Sequence, residues 1–242
     1  MQETGEQEMV GRLETAAFLV LAAMAVAAPA VAQDAKKPGP AHLVVGAPGD
    51  TKGNRQDGEL TSAQVALVQK VSAYFNAMSG LKGDFVQTNA AGKRLRGKFY
   101  VKRPGRFRFD FARPSRLVIV SDGRHVAIQD HDLKTEDRWQ LEQTPFGTLL
   151  RQDVDLLRDA RLLEVQDAGD TIVIAFEDKT DKAPGALKMF FAKKPTLELK
   201  SWITKDLQGL DTQIELSGIE KNDEFDADFF KPAPIALEKL RR

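Results

Sequence analysis

The chain has 242 residues, of which 42% are hydrophobic and 29% charged, and its formal net charge is zero, the balance of an ordinary globular protein. It contains no cysteine, which excludes disulfides, thiolate metal sites and cysteine nucleophiles. Residues 1–32 hold one arginine and four glutamates, a charge of −3, so their removal would leave +3, too small an excess to indicate nucleic-acid binding.

The N-terminal residues have the pattern of an export signal. An apolar run over 16–28 follows Arg12, and residues 30–32, Ala-Val-Ala, fit the small-x-small rule for cleavage. The run is shorter than the roughly 20 apolar residues of a membrane span, although an uncleaved anchor is the alternative. Three glutamates precede Met9, and translation from Met9 would remove them. We predict a signal peptide over 1–32 and a mature protein outside the cytoplasm.

A linker and a helix follow the signal. Residues 33–58 are rich in Pro, Gly and Lys, which predicts a disordered linker because this composition cannot bury a core. Thr61 and Gln64 form a capping-box pattern, and Gly80 is a helix terminator. Between them, apolar residues recur at spacings of three and four, at Val65, Val68, Val71, Phe75 and Met78. We expect this helix to pack its apolar stripe on a sheet.

From Leu81 the apolar period changes to two, which predicts β-strands joined by tight turns. Six strands are expected before Leu141, and short helices over 144–150 and 154–158 follow. Five more strands are expected near 163–166, 171–176, 187–191, 197–204 and 210–216. The fold class is therefore mostly β, with about eleven strands, one N-terminal helix and short mid-chain helices that cover the mouth. Short connections make neighbouring strands antiparallel, and a sheet of this size should curl toward a barrel.

No phosphate-binding loop, serine-hydrolase motif or zinc-protease motif occurs in the chain. One polar cluster comprises Asp122, His125, Asp130, His131 and Asp132. Such residues are common in turns, so we expect turn chemistry here, no metal site and no cofactor. A basic run over 93–108 alternates with apolar residues, which predicts a solvated outer face. Attraction of that face to an anionic membrane or an acidic partner is the alternative, and we expect no nucleic-acid partner.

The inward-facing apolar residues are the candidate ligand-binding surface. Core packing alone would explain them, but a curled sheet of this size can enclose more space than its side chains fill. Phe146, Leu149 and Leu150 would face that space from the mid-chain helices as a lid. The remaining candidates lie on strands, at Phe85, Leu95, Phe99, Val101, Phe107, Phe109, Phe111, Leu117, Ile119 and Trp139. We also expect Phe229 and Phe230 of the C-terminal tail to dock on the barrel.

Several of these residues together resemble the outer-membrane lipoprotein carrier (LolA) family, over about residues 60–232. The resemblance rests on Phe85, Gln87, Gly97, Phe99, Val101, Lys102, Arg103, Pro104, Phe107, Pro114, Val120, Ser121, Asp122, Gly123, Thr144, Pro145 and Phe146 at their spacing. It implies an incomplete antiparallel barrel over residues 59–242, with a helical lid above a hydrophobic cavity. Arg103 is similar to a family arginine that bonds to the lid, and Phe107 to a position linked to partner contact and cargo transfer.

The resemblance also implies a function. Members of the family are periplasmic chaperones that bind the acyl chains of lipoproteins. They carry the lipoproteins from an inner-membrane ABC release complex to an outer-membrane acceptor. The related receptor is itself a lipoprotein, and the absence of cysteine here favours the soluble carrier, which we expect to be a monomer.

Three other functions stay open at this point. The first is a carrier or sensor of another lipid, such as a glycolipid or a phospholipid, because acyl chains look alike to a Phe/Leu cavity. The second is a lipid hydrolase, which would need a nucleophile–base pair that the histidines do not visibly form. The third is an interaction protein that uses the basic face. We expect no enzymatic activity.

Overall fold

The computed structural model describes residues 59–180, 183, 185–205 and 209–235. The predicted signal peptide over 1–32 and the predicted linker over 33–58 lie outside the described residues. All of the described residues fall within the predicted domain over 59–242.

The first described element is the helix α1 (Ser62–Ala77), as predicted. Its capping box is present, because the Thr61 hydroxyl accepts from the backbone N–H of Gln64 at 3.3 Å and the Gln64 side chain accepts from the backbone N–H of Thr61 at 3.0 Å. Val68, Val71 and Phe75 lie on one buried stripe, which packs against the sheet and fixes the helix across its concave side.

The described residues form one antiparallel sheet of eleven strands, in the order β6-β5-β4-β3-β2-β1-β11-β10-β9-β8-β7. The strands β6 and β7 are its edges and do not pair with each other, so the barrel is incomplete. The mostly-β prediction of about eleven strands is confirmed. The strands are β1 (Gly80–Thr88), β2 (Arg94–Lys102), β3 (Arg106–Phe111), β4 (Leu117–Asp122), β5 (His125–Asp130), β6 (Thr135–Gln140), β7 (Ala160–Ala168), β8 (Thr171–Asp178), β9 (Ala186–Ala192), β10 (Glu198–Lys205) and β11 (Asp211–Lys221).

The segment between the two edge strands holds the short mid-chain helices. After a 3-10 turn (Leu141–Gln143) come α2 (Pro145–Leu149) and α3 (Leu156–Asp159). Thr144 occupies the N-cap position of α2, but its hydroxyl donates backward to the Leu141 carbonyl at 2.8 Å instead of capping the helix. Asp155 does cap α3, by accepting from the backbone N–H groups of Leu157 and Arg158. We call residues 141–159 the lid segment.

The C-terminal tail docks on the outer face of the barrel, where the sequence predicted solvated basic residues. The Phe229 ring lies 4.8 Å from the Tyr100 ring and 5.4 Å from the Arg108 guanidinium, centroid to centre. Phe230 is 3% exposed and lies 6.0 Å from the Arg106 guanidinium. The expectation of a solvated face is therefore wrong where the tail lies, because aromatic rings and cations stack there. It holds at Arg94, Arg96 and Lys98 of β2, which are exposed.

Ion pairs neutralise much of the remaining outer face. Lys98 bonds Asp84 on β1 at 3.0 Å, and Arg94 bonds Glu215 on β11 at 3.2 Å. The cations of the basic run thus have acidic neighbours from the adjoining strands.

Phe230→Ala should destabilise the fold, because it removes a buried ring from the tail. We expect the free energy of unfolding to fall by roughly 3 kcal/mol. Leu133→Ala is the control, since Leu133 is 54% exposed, and it should change stability by less than about 0.5 kcal/mol. Urea denaturation midpoints measure both. Equal stability of Phe230→Ala and the wild type would mean that the tail does not dock in solution.

Candidate functional site

The concave face of the sheet, α1 and the lid segment enclose a cavity of about 60 Å³. Its wall is almost entirely apolar and draws on both halves of the sheet. The lining residues are Tyr74, Phe75, Met78, Leu81, Phe99, Val101, Phe107, Phe109, Phe146, Leu149, Leu150, Leu187, Met189, Leu199, Trp202, Leu216 and Ile219. A space of this size holds only a few water molecules. The space is therefore too small for a long acyl chain, and such a ligand can enter only if part of the wall moves.

The structure brings some of the predicted cargo residues to the cavity and leaves others away from it. Seven of them line the cavity wall: Phe99, Val101, Phe107, Phe109, Phe146, Leu149 and Leu150. The other six lie outside that wall: Phe85, Leu95, Phe111, Leu117, Ile119 and Trp139. Phe85 instead packs edge-on against Phe109 and Phe111, with ring centroids 5.1 Å and 4.9 Å apart. Whether any of the thirteen contacts cargo stays a prediction.

Ten lining residues were not predicted as cargo contacts. Tyr74 and Phe75 come from α1, Met78 is its C-cap, and Leu81 comes from β1. Six come from the strands after the lid, namely Leu187, Met189, Leu199, Trp202, Leu216 and Ile219. Phe75 and Met78 belong to the helical stripe visible in the sequence, and the later strands show the same apolar alternation. Those signals identify inward-facing residues, but not which inward residues sit beneath the lid.

The α2 helix closes the cavity with an aromatic contact. The Phe146 ring lies 5.6 Å from the Phe107 ring and 5.8 Å from the Trp202 ring, measured between centroids. Leu149 and Leu150 are buried beside it. These contacts stabilise the lid through dispersion attraction and the burial of apolar surface, which are nonspecific. Other apolar groups of similar size could therefore replace them.

Arg103, the residue predicted as a latch, ties α1 to the lid segment at Arg151 and Gln152. Its guanidinium donates to the backbone carbonyls of Phe75 and Arg151, to the carbonyl of Gln152 at 3.0 Å, and to the Asn76 side chain at 3.2 Å. Burial lowers the pKa of Arg103, and the nearby charge of Asp153 opposes that effect. A guanidinium is well suited to this task, because its fixed fork of donors satisfies several carbonyls at once.

Two polar side chains of α1 add to this attachment. The Asn76 amide donates to the Val154 carbonyl at 2.9 Å, and its oxygen accepts from the Val154 N–H at 2.9 Å. The Ser72 hydroxyl accepts from the Leu156 N–H at 3.2 Å. The C-terminal half of the lid segment is therefore held to α1 through its backbone, while its side chains Val154 and Leu156 are buried in the core.

The N-terminal half of the lid segment bonds the sheet at β8, the strand next to the edge strand β7. The buried Thr148 hydroxyl of α2 donates to the Asp178 carboxylate on β8 at 2.7 Å. Burial alone would raise the pKa of Asp178, but hydrogen bonds from Thr180 and Thr148 outweigh it and lower the pKa below its usual value. Gly105 also donates to the Leu150 carbonyl at 2.8 Å. The lid is thus fastened at several points around the mouth.

The aspartates of the polar cluster at the β4–β5 and β5–β6 connections stabilise the turns there. The Asp122 carboxylate accepts from the backbone N–H groups of Arg124 and His125, and Asp130 does the same for Asp132 and Leu133. Within the described residues, no group of three or more His, Cys, Asp or Glu side chains is arranged to hold a metal ion. In that same part of the chain, no helix is long and apolar enough to cross a membrane.

Comparison with known proteins identifies the family of this fold. Residues 76–233 match the family model described as outer membrane lipoprotein carrier protein LolA. An outer-membrane lipoprotein carrier protein of Chromobacterium violaceum is 30% identical over 168 residues, covering 66% of this chain and 80% of that protein. One from Neisseria meningitidis serogroup B is 25% identical over 182 residues, covering 72% and 86%.

Among solved structures, a LolA superfamily protein from Nitrosomonas europaea aligns with a TM-score of 0.41 at 13% identity, covering 68% of this chain and 98% of that one. The family match spans more than half of the sequence and includes the latch arginine, the cavity strands and the lid. This protein therefore belongs to the outer-membrane lipoprotein carrier (LolA) family.

Proposed function

We propose that this protein is a periplasmic chaperone that binds the acyl chains of lipoproteins in its cavity and carries them to the outer membrane. The observation that supports the proposal most directly is an apolar cavity beneath a lid segment that joins the two unpaired edges of the sheet. A lid in that position can move without breaking the β-ladder. The relatives are named carriers, which agrees with the expectation that the chain is not an enzyme.

The energetics of acyl chains explain why such a carrier needs a cavity. Burying one methylene is worth ~0.8 kcal/mol, so a sixteen-carbon chain is worth ~13 kcal/mol. A lipoprotein with several such chains cannot cross an aqueous compartment without a shield. The carrier must also release its cargo, so part of the burial energy has to be offset by the cost of opening the lid.

The hydrogen bonds of the Arg103 latch provide the cost of opening the lid. Arg103 holds the carbonyls of Arg151 and Gln152 beside α1, and we propose that incoming acyl chains displace α2 and break these bonds. A hydrogen bond from a charged group contributes ~1.5–3 kcal/mol. Loss of these contacts lowers the net affinity for cargo and so favours release to the next partner.

Transport of lipoproteins to the outer membrane requires one partner that loads the carrier and another that empties it. We propose that an inner-membrane ABC release complex loads the cavity and that an outer-membrane acceptor empties it, both through the mouth beneath the lid segment. Phe107 lies at this mouth in contact with Phe146, which suits a position involved in transfer. A monomer presents the mouth to each partner in turn.

The proposed function predicts that the protein takes up a lipoprotein released from the inner membrane. Purified protein incubated with spheroplasts that make a labelled lipoprotein should appear in a soluble one-to-one complex with the label. Val101→Gln should reduce the yield of that complex severalfold, because Val101 lines the cavity and a buried amide without a partner is unfavourable there. Val86→Gln is the matched control, since Val86 lies on the opposite face of the neighbouring strand and pairs with Arg96 and Glu215.

Two results would contradict the proposal in different ways. Absence of labelled complex, with phospholipid or glycolipid nevertheless bound to the purified protein, would move the function to another lipid. Equal yields from Val101→Gln and Val86→Gln would place cargo outside the cavity.

Arg103→Leu should shift the lid toward the open state. We expect its apparent affinity for an acyl probe to rise about tenfold, because loss of one charged hydrogen bond is worth at least ~1.4 kcal/mol, and transfer to acceptor vesicles should slow by a similar factor. Arg103→Lys should lie between the wild type and Arg103→Leu. Arg96→Leu should behave as wild type, because Arg96 is an exposed cation on β2, the strand that precedes Arg103. An Arg103→Leu variant that loads and releases at wild-type rates would rule out the latch.

The bond between Thr148 and Asp178 should stabilise the protein in a pH-dependent way. The pKa of Asp178 is lowered from its usual 3.8, so its contribution is complete above that value and is lost as the pH falls through the lower folded value. Thr148→Val should therefore cost roughly 1–2 kcal/mol at pH 7, and less at lower pH. Urea denaturation of both proteins between pH 3 and pH 7 measures this, and a pH-independent difference would contradict it.

A further inference from the structure

The cavity wall contains one buried donor that the apolar cavity does not explain. The Trp202 side chain is 4% exposed, and among the described residues its indole Nε1 has no hydrogen-bond partner. Buried N–H groups in native proteins are almost always paired, so an unpaired one requires a reason. Two other side chains hold an unpaired buried atom in this part of the chain. Gln87 does not line the cavity, and Arg103 belongs to the latch.

Trp202 sits where the fixed wall meets the moving lid. It lies on β10 between Met189 of β9 and Ile214 of β11. Its ring is 6.3 Å from the Phe109 ring on the wall and 5.8 Å from the Phe146 ring on α2. Movement of α2 would remove Phe146 from the indole and give an incoming ligand access to that side of the ring.

The other polar group of the wall is already engaged. The Tyr74 hydroxyl accepts from the backbone N–H of Leu199 at 3.4 Å, and burial raises the pKa of Tyr74. The indole N–H can only donate, so its natural partner is an acceptor carried by the ligand. A hydrocarbon chain has none, but every ester- or amide-linked acyl chain has one at its carbonyl.

We propose that Trp202 donates a hydrogen bond through Nε1 to a carbonyl oxygen of a fatty-acyl ester or amide, and so makes the cavity selective for acyl-linked lipids over plain alkyl chains. This inference rests on the proposed function, because it assumes that acyl chains enter the cavity. The hydrogen bond also fixes how deep the chain lies, since the carbonyl marks the start of the hydrocarbon. A site built to bond a polar group discriminates against the analogue that lacks it.

The matched probes are 1-lauroylglycerol, which has an ester carbonyl, and 1-O-dodecylglycerol, its ether analogue without one. Isothermal titration with the full chain should show the ester binding about fivefold tighter, as expected for one net hydrogen bond. Trp202→Phe should retain ether binding and lose the preference. An equal preference in Trp202→Phe, or no preference in the wild type, would overturn the inference while leaving the carrier function in place.

A second readout uses the wild-type protein and does not depend on the folding of the variant. The chain has two tryptophans, whose indole N–H signals can be assigned with Trp139→Phe. The ester probe should move the Trp202 proton signal downfield, as hydrogen bonding requires, and the ether probe should not. Identical shifts with both probes would overturn the inference, and failure of both probes to bind would overturn the proposed acyl cavity with it.

Discussion

The two edges of the sheet are not joined by backbone hydrogen bonds, and the rest of the structure depends on this gap. A closed barrel would satisfy every strand but would have no movable wall. Here β6 and β7 are left apart, and the chain itself spans the gap with residues 141–159. The seal over the cavity is therefore made of side chains and a few backbone carbonyls. Such a seal can open without breaking the β-ladder, whose many hydrogen bonds are cooperative and costly to break.

The seal combines two kinds of interaction that respond differently to an apolar ligand. The contact of Phe146 with Phe107 and Trp202 is nonspecific, so an acyl chain can replace it with little loss. The hydrogen bonds of Arg103 and Thr148 are directional, and a hydrocarbon chain cannot replace them. In the proposed mechanism, ligand entry exchanges the first kind and breaks the second. The difference sets how tightly the ligand is held, and a few side chains can tune it without any change in the cavity.

The sequence predicts the elements well because their signals are local. The period of two from Leu81 onward and the capping box at Thr61 depend only on neighbouring residues. The cavity wall depends on how the sheet curls and where the lid lies, which no local pattern reports. Phe85 and Met189 both face inward, yet only Met189 reaches the cavity, because Phe85 is covered by Phe109 and Phe111. The residues Phe229 and Phe230 predict that the tail docks on the barrel. Which face of the barrel the tail covers depends on contacts between residues far apart in the sequence.

The outer face determines which part of the molecule moves. The C-terminal tail bonds Gln129 on β5 through the Ala233 carbonyl at 2.6 Å and stacks its aromatic rings on cations of β3. Ion pairs further join β2 to β1 and to β11 across the outer surface. Each exposed pair adds little stability, but a tail that crosses several strands links them into one unit. The lid segment contributes no strand to this unit, so it is the part that we propose to move when the cavity opens.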